Sequence, residues 1–283
     1  MNLAKFLQLQ SLIPHDENQS ESHGDSQNDV HKEVGQDELS AWEQLAQHDD
    51  WRVRESAAHY GDDYIRDILV HDDDWHVRAA VAQYGNDTHR EKVLEGCAKN
   101  GHWKVIVTVA QYGNNDIRQY ILHDQLAGWH IESVIDAIVS RSTHDEMLEM
   151  IHNDDWRVRA AVAHFGDNNM RTQLIHDESP YVRIAVVQFG TEEHHKELLH
   201  DENAEVRIAL AQYGNDDILS ALLHDDNVNV RVAVAKYANV QMLEYLLGDN
   251  APQVRYAAII YGGDMLRRHL LQVCQIDYNM DIR

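Results

Sequence analysis

The feature that most constrains this chain is a phrase it repeats. "WRVRESAAHYG" begins at Trp51, "WHVRAAVAQYG" at Trp75, "WKVIVTVAQYG" at Trp103 and "WRVRAAVAHFG" at Trp156. "YVRIAVVQFG", "EVRIALAQYG", "NVRVAVAKYAN" and "QVRYAAIIYGG" follow from Tyr181, Glu205, Asn229 and Gln253. A degraded copy, "WHIESVIDAIV", starts at Trp129. The arginine of the V-R pair marks the register at Arg54, Arg78, Arg159, Arg183, Arg207, Arg231 and Arg255, with Ile106 and Glu132 in the third and fourth copies. The steps are 24, 28, 26, 27, 24, 24, 24 and 24 residues. A unit that short cannot bury its apolar face alone and must stack on its neighbours, which predicts a solenoid.

Each unit reads as two short helices. Four residues before the mark stand Asp50, Asp74, His102, Gly128, Asp155, Ser179, Asn203, Asn227 and Ala251. Asp, Ser, Asn and Gly are favoured N-caps, so a helix begins there in all but the His102 and Ala251 copies. Pro180 and Pro252 follow, at the first helical position, where no N–H is needed. Seven residues after the mark come Gly61, Gly85, Gly113, Gly166, Gly190, Gly214 and Gly262, with Val139 and Ala238 as exceptions. Glycine just past a helix suggests a left-handed C-terminal turn, giving a first helix of about ten residues. A second helix with apolar pairs follows, as in "DDILSALLHDD" at 216–226. Strand alternation is not sustained. The expected fold is all-α: a right-handed α-solenoid of about nine ~24-residue two-helix repeats.

"DDDWHVRAAVAQYGNDTHREKVLE" and "DDNVNVRVAVAKYANVQMLEYLL" resemble leucine-rich repeat variant units. They are similar as well to the short HEAT-like units of phycobilisome-lyase type. The shared pattern is Asp, then V-R-x-A-[VL]-A, then a leucine-rich second helix, over residues 40–265. The resemblance implies a curved superhelix used as a binding surface, with second helices that in leucine-rich variants are sometimes 3₁₀. It does not by itself imply an activity.

The domain expectation is an N-terminal segment with a disordered polar linker over 1–38, the solenoid over 39–263 and a C-terminal capping helix over 264–283. Residues 15–37 are polar and nearly free of core formers. Residues 1–13, with Leu3, Phe6, Leu7 and Leu9, read as a small amphipathic helix or a disordered end, and 37–47 as the second helix of a partial repeat that caps the array. The start lacks an apolar core and cleavage site of signal-peptide type, and no run reaches 18 apolar residues, so no membrane partner is expected. Two cysteines, Cys97 and Cys274, build no disulfide framework, which suits a cytoplasmic setting.

Net charge is −24, and most of the acidity belongs to the repeats. Free nucleic acid is therefore a poor default partner and a basic protein a better one.

Five His–Asp clusters, at His48, His71, His176, His200 and His224, resemble metal sites. They recur once per unit, so neighbouring copies lie about 8–10 Å apart, too far to share one zinc. Capping explains them better: His ends one helix and Asp starts the next. A metal-responsive adaptor is the minor reading, and His194-His195 reads as helix surface. Asp72, Asp177, Asp201, Asp225 and Asp249 lie six residues before their arginines, which suggests ion pairs along one edge that fix register.

Trp51, Trp75, Trp103, Trp129 and Trp156 share the first helical position, each followed by a basic or imidazole residue: Arg52, His76, Lys104, His130 and Arg157. The pattern stops after the fifth copy. Two uses compete: indoles stacking between repeats, or a partner-binding ridge, since Trp and Arg concentrate at interface hot spots. Single-stranded nucleic acid also suits such interleaving, but the surrounding carboxylates oppose it. The column from Tyr60 to Tyr261 reads as inter-helix core with hydroxyls at the rim. The fourth copy, with Glu132, Ile138 and Val139 in place of Arg, Tyr and Gly, reads as drift, a bend or a pocket.

No catalytic, cofactor or metal motif is present. The expected function is a non-enzymatic protein-binding scaffold for a basic partner, with an immunity or antitoxin-like inhibitor as the concrete version. The alternatives are a HEAT-like glycosylase acting on nucleic acid, or a chromophore lyase-type factor.

Overall fold

The computed structural model describes residues 36–100, 102–124, 131–263 and 266. The expected N-terminal segment and its linker up to residue 35, Gly128, Trp129, His130, Cys274 and nearly all of the expected cap over 264–283 lie outside the described residues. The chain divides into two compact units between Ala41 and Trp42. The first unit enters the description only as the opening turns of the helix Gln36–Ala46. The second holds the repeats.

Every regular element among the described residues is a helix. The first helices of the nine units are Trp51–Tyr60, Trp75–Tyr84, Trp103–Tyr112, Ile131–Val139, Trp156–Phe165, Pro180–Phe189, Ala204–Tyr213, Val228–Tyr237 and residues 252–263. Between them lie the second helices. Six have seven residues, such as Asp63–Leu69 and Asp216–Leu222. Asp87–Asn100 and Asn115–Asp124 are longer, which accounts for the wider steps there. The second helices are α-helices, not the 3₁₀ turns the family resemblance allowed. Each first helix packs on the next first helix, and most second helices bridge the two. The fold is an α-solenoid.

Caps set the phase. Asp50, Asp74, Asp155, Asn203 and Asn227 each accept the amide N–H two residues on. Ser179 holds the cap position without that bond, and so does His102. Asp62, Asp167, Asn215 and Asn239 cap the second helices in the same way, bonding the N–H three residues on. Each cap satisfies donors that the helix cannot satisfy itself.

The glycines act otherwise than expected. Gly61, Gly85, Gly113, Gly166, Gly190 and Gly214 have φ between −72° and −84°, so no left-handed turn is made. Their requirement is space. A Cβ on Gly85 would stand 2.5 Å from the Val81 carbonyl oxygen and 2.9 Å from His89 Cβ, where the second helix folds back. The chain turns between helices too tightly for a side chain.

The core lies between the two layers. Val77 and Val81 from a first helix, with Ile65 and Leu69 from the preceding second helix, are essentially inaccessible. The Tyr/Phe column is not core. Tyr60 is 60% exposed and Tyr213 40%, because these rings end their helices on the outer face. His194 and His195 are buried, not surface residues: His195 meets the Val187 carbonyl oxygen at 2.7 Å, and His194 meets Thr172 Oγ1 at 3.0 Å.

The fourth copy is shifted by one residue. Glu132, Ser133 and Asp136 face outward while Val134, Ile135, Ala137 and Ile138 are buried. Asp136 thus shares the outward row of His59 and His164, and Ile131, not Glu132, takes the place of the marker arginine.

Candidate partner-binding face

The marker arginines tie the units together. Arg54, Arg159, Arg183, Arg207 and Arg231 each grip the Asp eighteen residues later, in the loop opening the next unit. Nε reaches one carboxylate oxygen at 2.6–2.7 Å and Nη2 the other at 2.9–3.0 Å. The six-residue relation expected from sequence exists, but through the backbone: Arg183 Nη1 donates to the Asp177 carbonyl oxygen at 2.6 Å. The Asp177 carboxylate is already taken by Arg159 and by the Ser179 amide. Among the described residues no carboxylate pairs with Arg78, and the third and fourth units carry no marker arginine.

The Trp column forms a stack that crosses units. Arg52 lies over Trp51 at 4.9 Å, and Trp51 stacks on His76 at 4.1 Å. His76 rests on Trp75 at 3.6 Å, and Trp75 stacks on His102 at 4.4 Å. Lys104 Nζ sits 4.7 Å from the Trp75 ring centroid and 5.8 Å from that of Trp103. Trp156 stacks instead on Tyr181 at 4.7 Å. The structure therefore joins Trp51, Arg52, Trp75, His76, Trp103 and Lys104 into one array. It sets Trp156 and Arg157 in another.

The basic side chains on this ridge are mostly held by their own caps. Arg52 pairs with Asp50 at 3.5 Å, His76 with Asp74 at 2.9 Å and Arg157 with Asp155 at 2.6 Å. The Arg157 guanidinium and the Arg157 amide hold Asp155 below the usual carboxylate range, against its burial. Burial, with Lys104, Arg78 and His76 beside it, pushes His102 below the ordinary imidazole value, so this ring is neutral at pH 7.

A second aromatic row was not foreseen. His59 is sandwiched between Tyr60 at 4.1 Å and Tyr84 at 3.9 Å, and His164 between Phe165 and Phe189, both at 4.0 Å. The two rows bound a groove between the first two first helices. Trp75 and His76 stand at one end, His59 and Tyr84 at the other, and Ala79 and Ala80 form the floor. Small floor residues between aromatic walls leave room for a side chain from outside. The signal for this row lay in the Q/H-Y/F-G triplet, which reads equally well as core.

The His–Asp clusters do not converge. His176 pairs with Glu197 at 3.1 Å, and His224 meets the Tyr245 hydroxyl. No group of three metal-ligating side chains gathers among the described residues. No described helix is long and apolar enough to cross a membrane.

A solved structure described as a leucine-rich repeat variant with a novel repetitive structural motif is similar to this chain. It shows 24% identity and a TM-score of 0.50, with 74% of this chain and 82% of that one covered. The two share a fold. An engineered protein, at 14% identity and a TM-score of 0.27, covers 79% of this chain and 87% of its own. A designed armadillo repeat protein, at 15% and 0.17, covers 78% and 96%. No family model and no curated protein matches the sequence.

Proposed function

We propose that this protein is a non-enzymatic scaffold whose first-helix face binds a polypeptide partner, and that the partner is basic. The observation that carries the reading is the pair of aromatic rows bounding a small-floored groove on that face. Partly exposed Tyr and Trp around an apolar-floored groove are what hot spots are built from. A net charge of −24 favours a basic partner through long-range attraction. An immunity-like inhibitor of a basic toxin or nuclease is the concrete version. The expected compartment is the cytoplasm.

The test is capture from native lysate with the wild-type chain and with Trp75→Ala and Tyr84→Ala. The reading expects basic proteins that are released by salt and retained poorly by both variants. Capture of no stable partner, or capture that ignores both substitutions, overturns it.

A further inference from the structure

The groove between the helices Trp51–Tyr60 and Trp75–Tyr84 holds about 360 Å³, the scale of a site for one small ligand or one side chain. A single carboxylate lines it, that of Glu55. Glu55 stands one residue after the marker arginine. Six sister units carry Ala, Val or Ile at that place, from Ala79 to Val232, and only the shifted fourth copy, with Glu132, has a second carboxylate there. Packing therefore does not call for a charge at this position.

The Glu55 side chain makes no hydrogen bond and no ion pair among the described residues. The basic groups around it are engaged elsewhere: Arg52 with Asp50, Arg54 with Asp72 and His76 with Asp74. His59, one helical turn on, meets Tyr60 and Tyr84 through its ring faces. Trp75 is likewise stacked on His76 and His102. With these faces covered, a cation entering the groove has its charge met by Glu55 and not by a ring. The rings and the Ala79–Ala80 floor offer dry wall to an aliphatic stem. Two neutral acceptors also line the groove. The Gln83 amide makes no bond among the described residues, and the Ser56 hydroxyl, which donates to the Arg52 carbonyl oxygen, still has its own oxygen to offer. A guanidinium, thin, planar and with five N–H donors, uses such a set better than a compact, strongly hydrated ammonium does.

We propose that this groove receives one arginine side chain of the polypeptide partner, its guanidinium on the Glu55 carboxylate and its methylene stem over Ala79 and Ala80. The proposal rests on the scaffold reading of the same face. It gives the basic character of the partner a definite point of contact, beyond the net charge of the chain.

The probes are N-acetyl-arginine methylamide, its lysine counterpart and its citrulline counterpart, which keeps the shape without the charge. Each is titrated into the full chain at constant ionic strength while the tryptophan indole N–H resonances are followed by NMR. The arginine probe is expected to shift Trp75 saturably, to leave Trp156 in place, and to bind about tenfold more tightly than citrulline, the measure of one charge-assisted contact. Lysine is expected between the two. Glu55→Gln is expected to melt as wild type does, since no internal bond is lost, and to bring arginine down to the citrulline level. Ala79→Ile installs the residue that the units of Ile184 and Ile208 carry there, fills the floor and is expected to abolish the Trp75 shift. Equal binding of arginine and citrulline, tighter binding of lysine, undiminished arginine binding by Glu55→Gln, or no saturable shift overturns the proposal. Capture from lysate separates the two readings: a partner lost by Trp75→Ala but kept by Glu55→Gln overturns this site and leaves the scaffold standing, whereas no partner for the wild-type chain overturns the scaffold.

Discussion

Arg183 and Asp201, eighteen residues apart, meet in a two-point ion pair that bolts one repeat to the next. Both side chains are nearly inaccessible, at 8% and 4%. Arg183 also donates to the Asp177 carbonyl oxygen, whose own carboxylate is held by Arg159. The same relation runs on through Arg207 and Arg231 to Asp249, where Arg255 takes the last carbonyl oxygen. A pair this buried adds little net stability over an apolar pair, but breaking it strands a charge.

Asp201→Ala is therefore expected to cost about 3–5 kcal/mol, because it leaves the Arg183 guanidinium buried and unpaired. Arg183→Met combined with Asp201→Leu removes both charges and is expected to cost less than the sum of the single changes. Urea unfolding of the four proteins in a double-mutant cycle measures this. Additive losses would show that the two side chains do not act as a unit.

Acid should weaken the C-terminal clasp. The Arg231 guanidinium, with the Ala251 amide, holds Asp249 below the usual carboxylate range. The folded value is thus below the unfolded one, about 3.9. The contribution is complete above that value and disappears as pH falls through the folded value. Thermal melts of Asp249→Asn should differ most from wild type at pH 6–7 and converge with it below pH 4.

His102 titrates the other way round for a base. Burial and its cationic neighbours lower its folded value, so the unfolded chain takes the proton first as pH falls below about 6.5. Wild type should lose stability between pH 7.5 and 5.5 by a margin that His102→Asn lacks. An identical slope in both proteins would remove His102 as a cause.

The tight turns should reject a methyl group. Gly85→Ala puts Cβ against the Val81 carbonyl and His89, and overpacking of this kind costs about 1–3 kcal/mol. At Ala238, where the chain already carries a methyl at φ −67° and ψ 148°, the reverse change to Gly should alter stability by less than about 1 kcal/mol. Chemical denaturation of the two variants gives the comparison.

Most of the architecture was legible because local chemistry repeats at fixed spacing. Asp50, Asp74 and Asp155 announce helix starts by their side chains alone, and Pro180 by its missing N–H. What depends on direction in space was not legible. The ladder Asp residues stand six residues before one arginine and eighteen after another, and the sequence cannot say which of the two takes the carboxylate. The tyrosines end helices whose buried and outward faces differ by a single residue step, so Tyr84 reads as core until the helix is placed. In the fourth unit, spacing alone aligned Glu132 with the arginines, and only burial shows the shift to Ile131. The ridge from Trp51 to Lys104 was read as either packing or surface. The rings do both, stacking across units with their edges partly in water.

The interruption of the ladder also divides the solenoid mechanically. From Arg159 to Asp249 every coil is clasped to the next by a buried ionic staple. Between Arg78 and the fourth unit no such carboxylate staple stands among the described residues; the coils there are joined by apolar packing, the aromatic stack and the Arg118–Glu146 ion pair at 3.7 Å. Under load the molecule should behave as a spring with one soft length in its first half, where pitch changes and tearing begin while the C-terminal coils move as a single stiff arm.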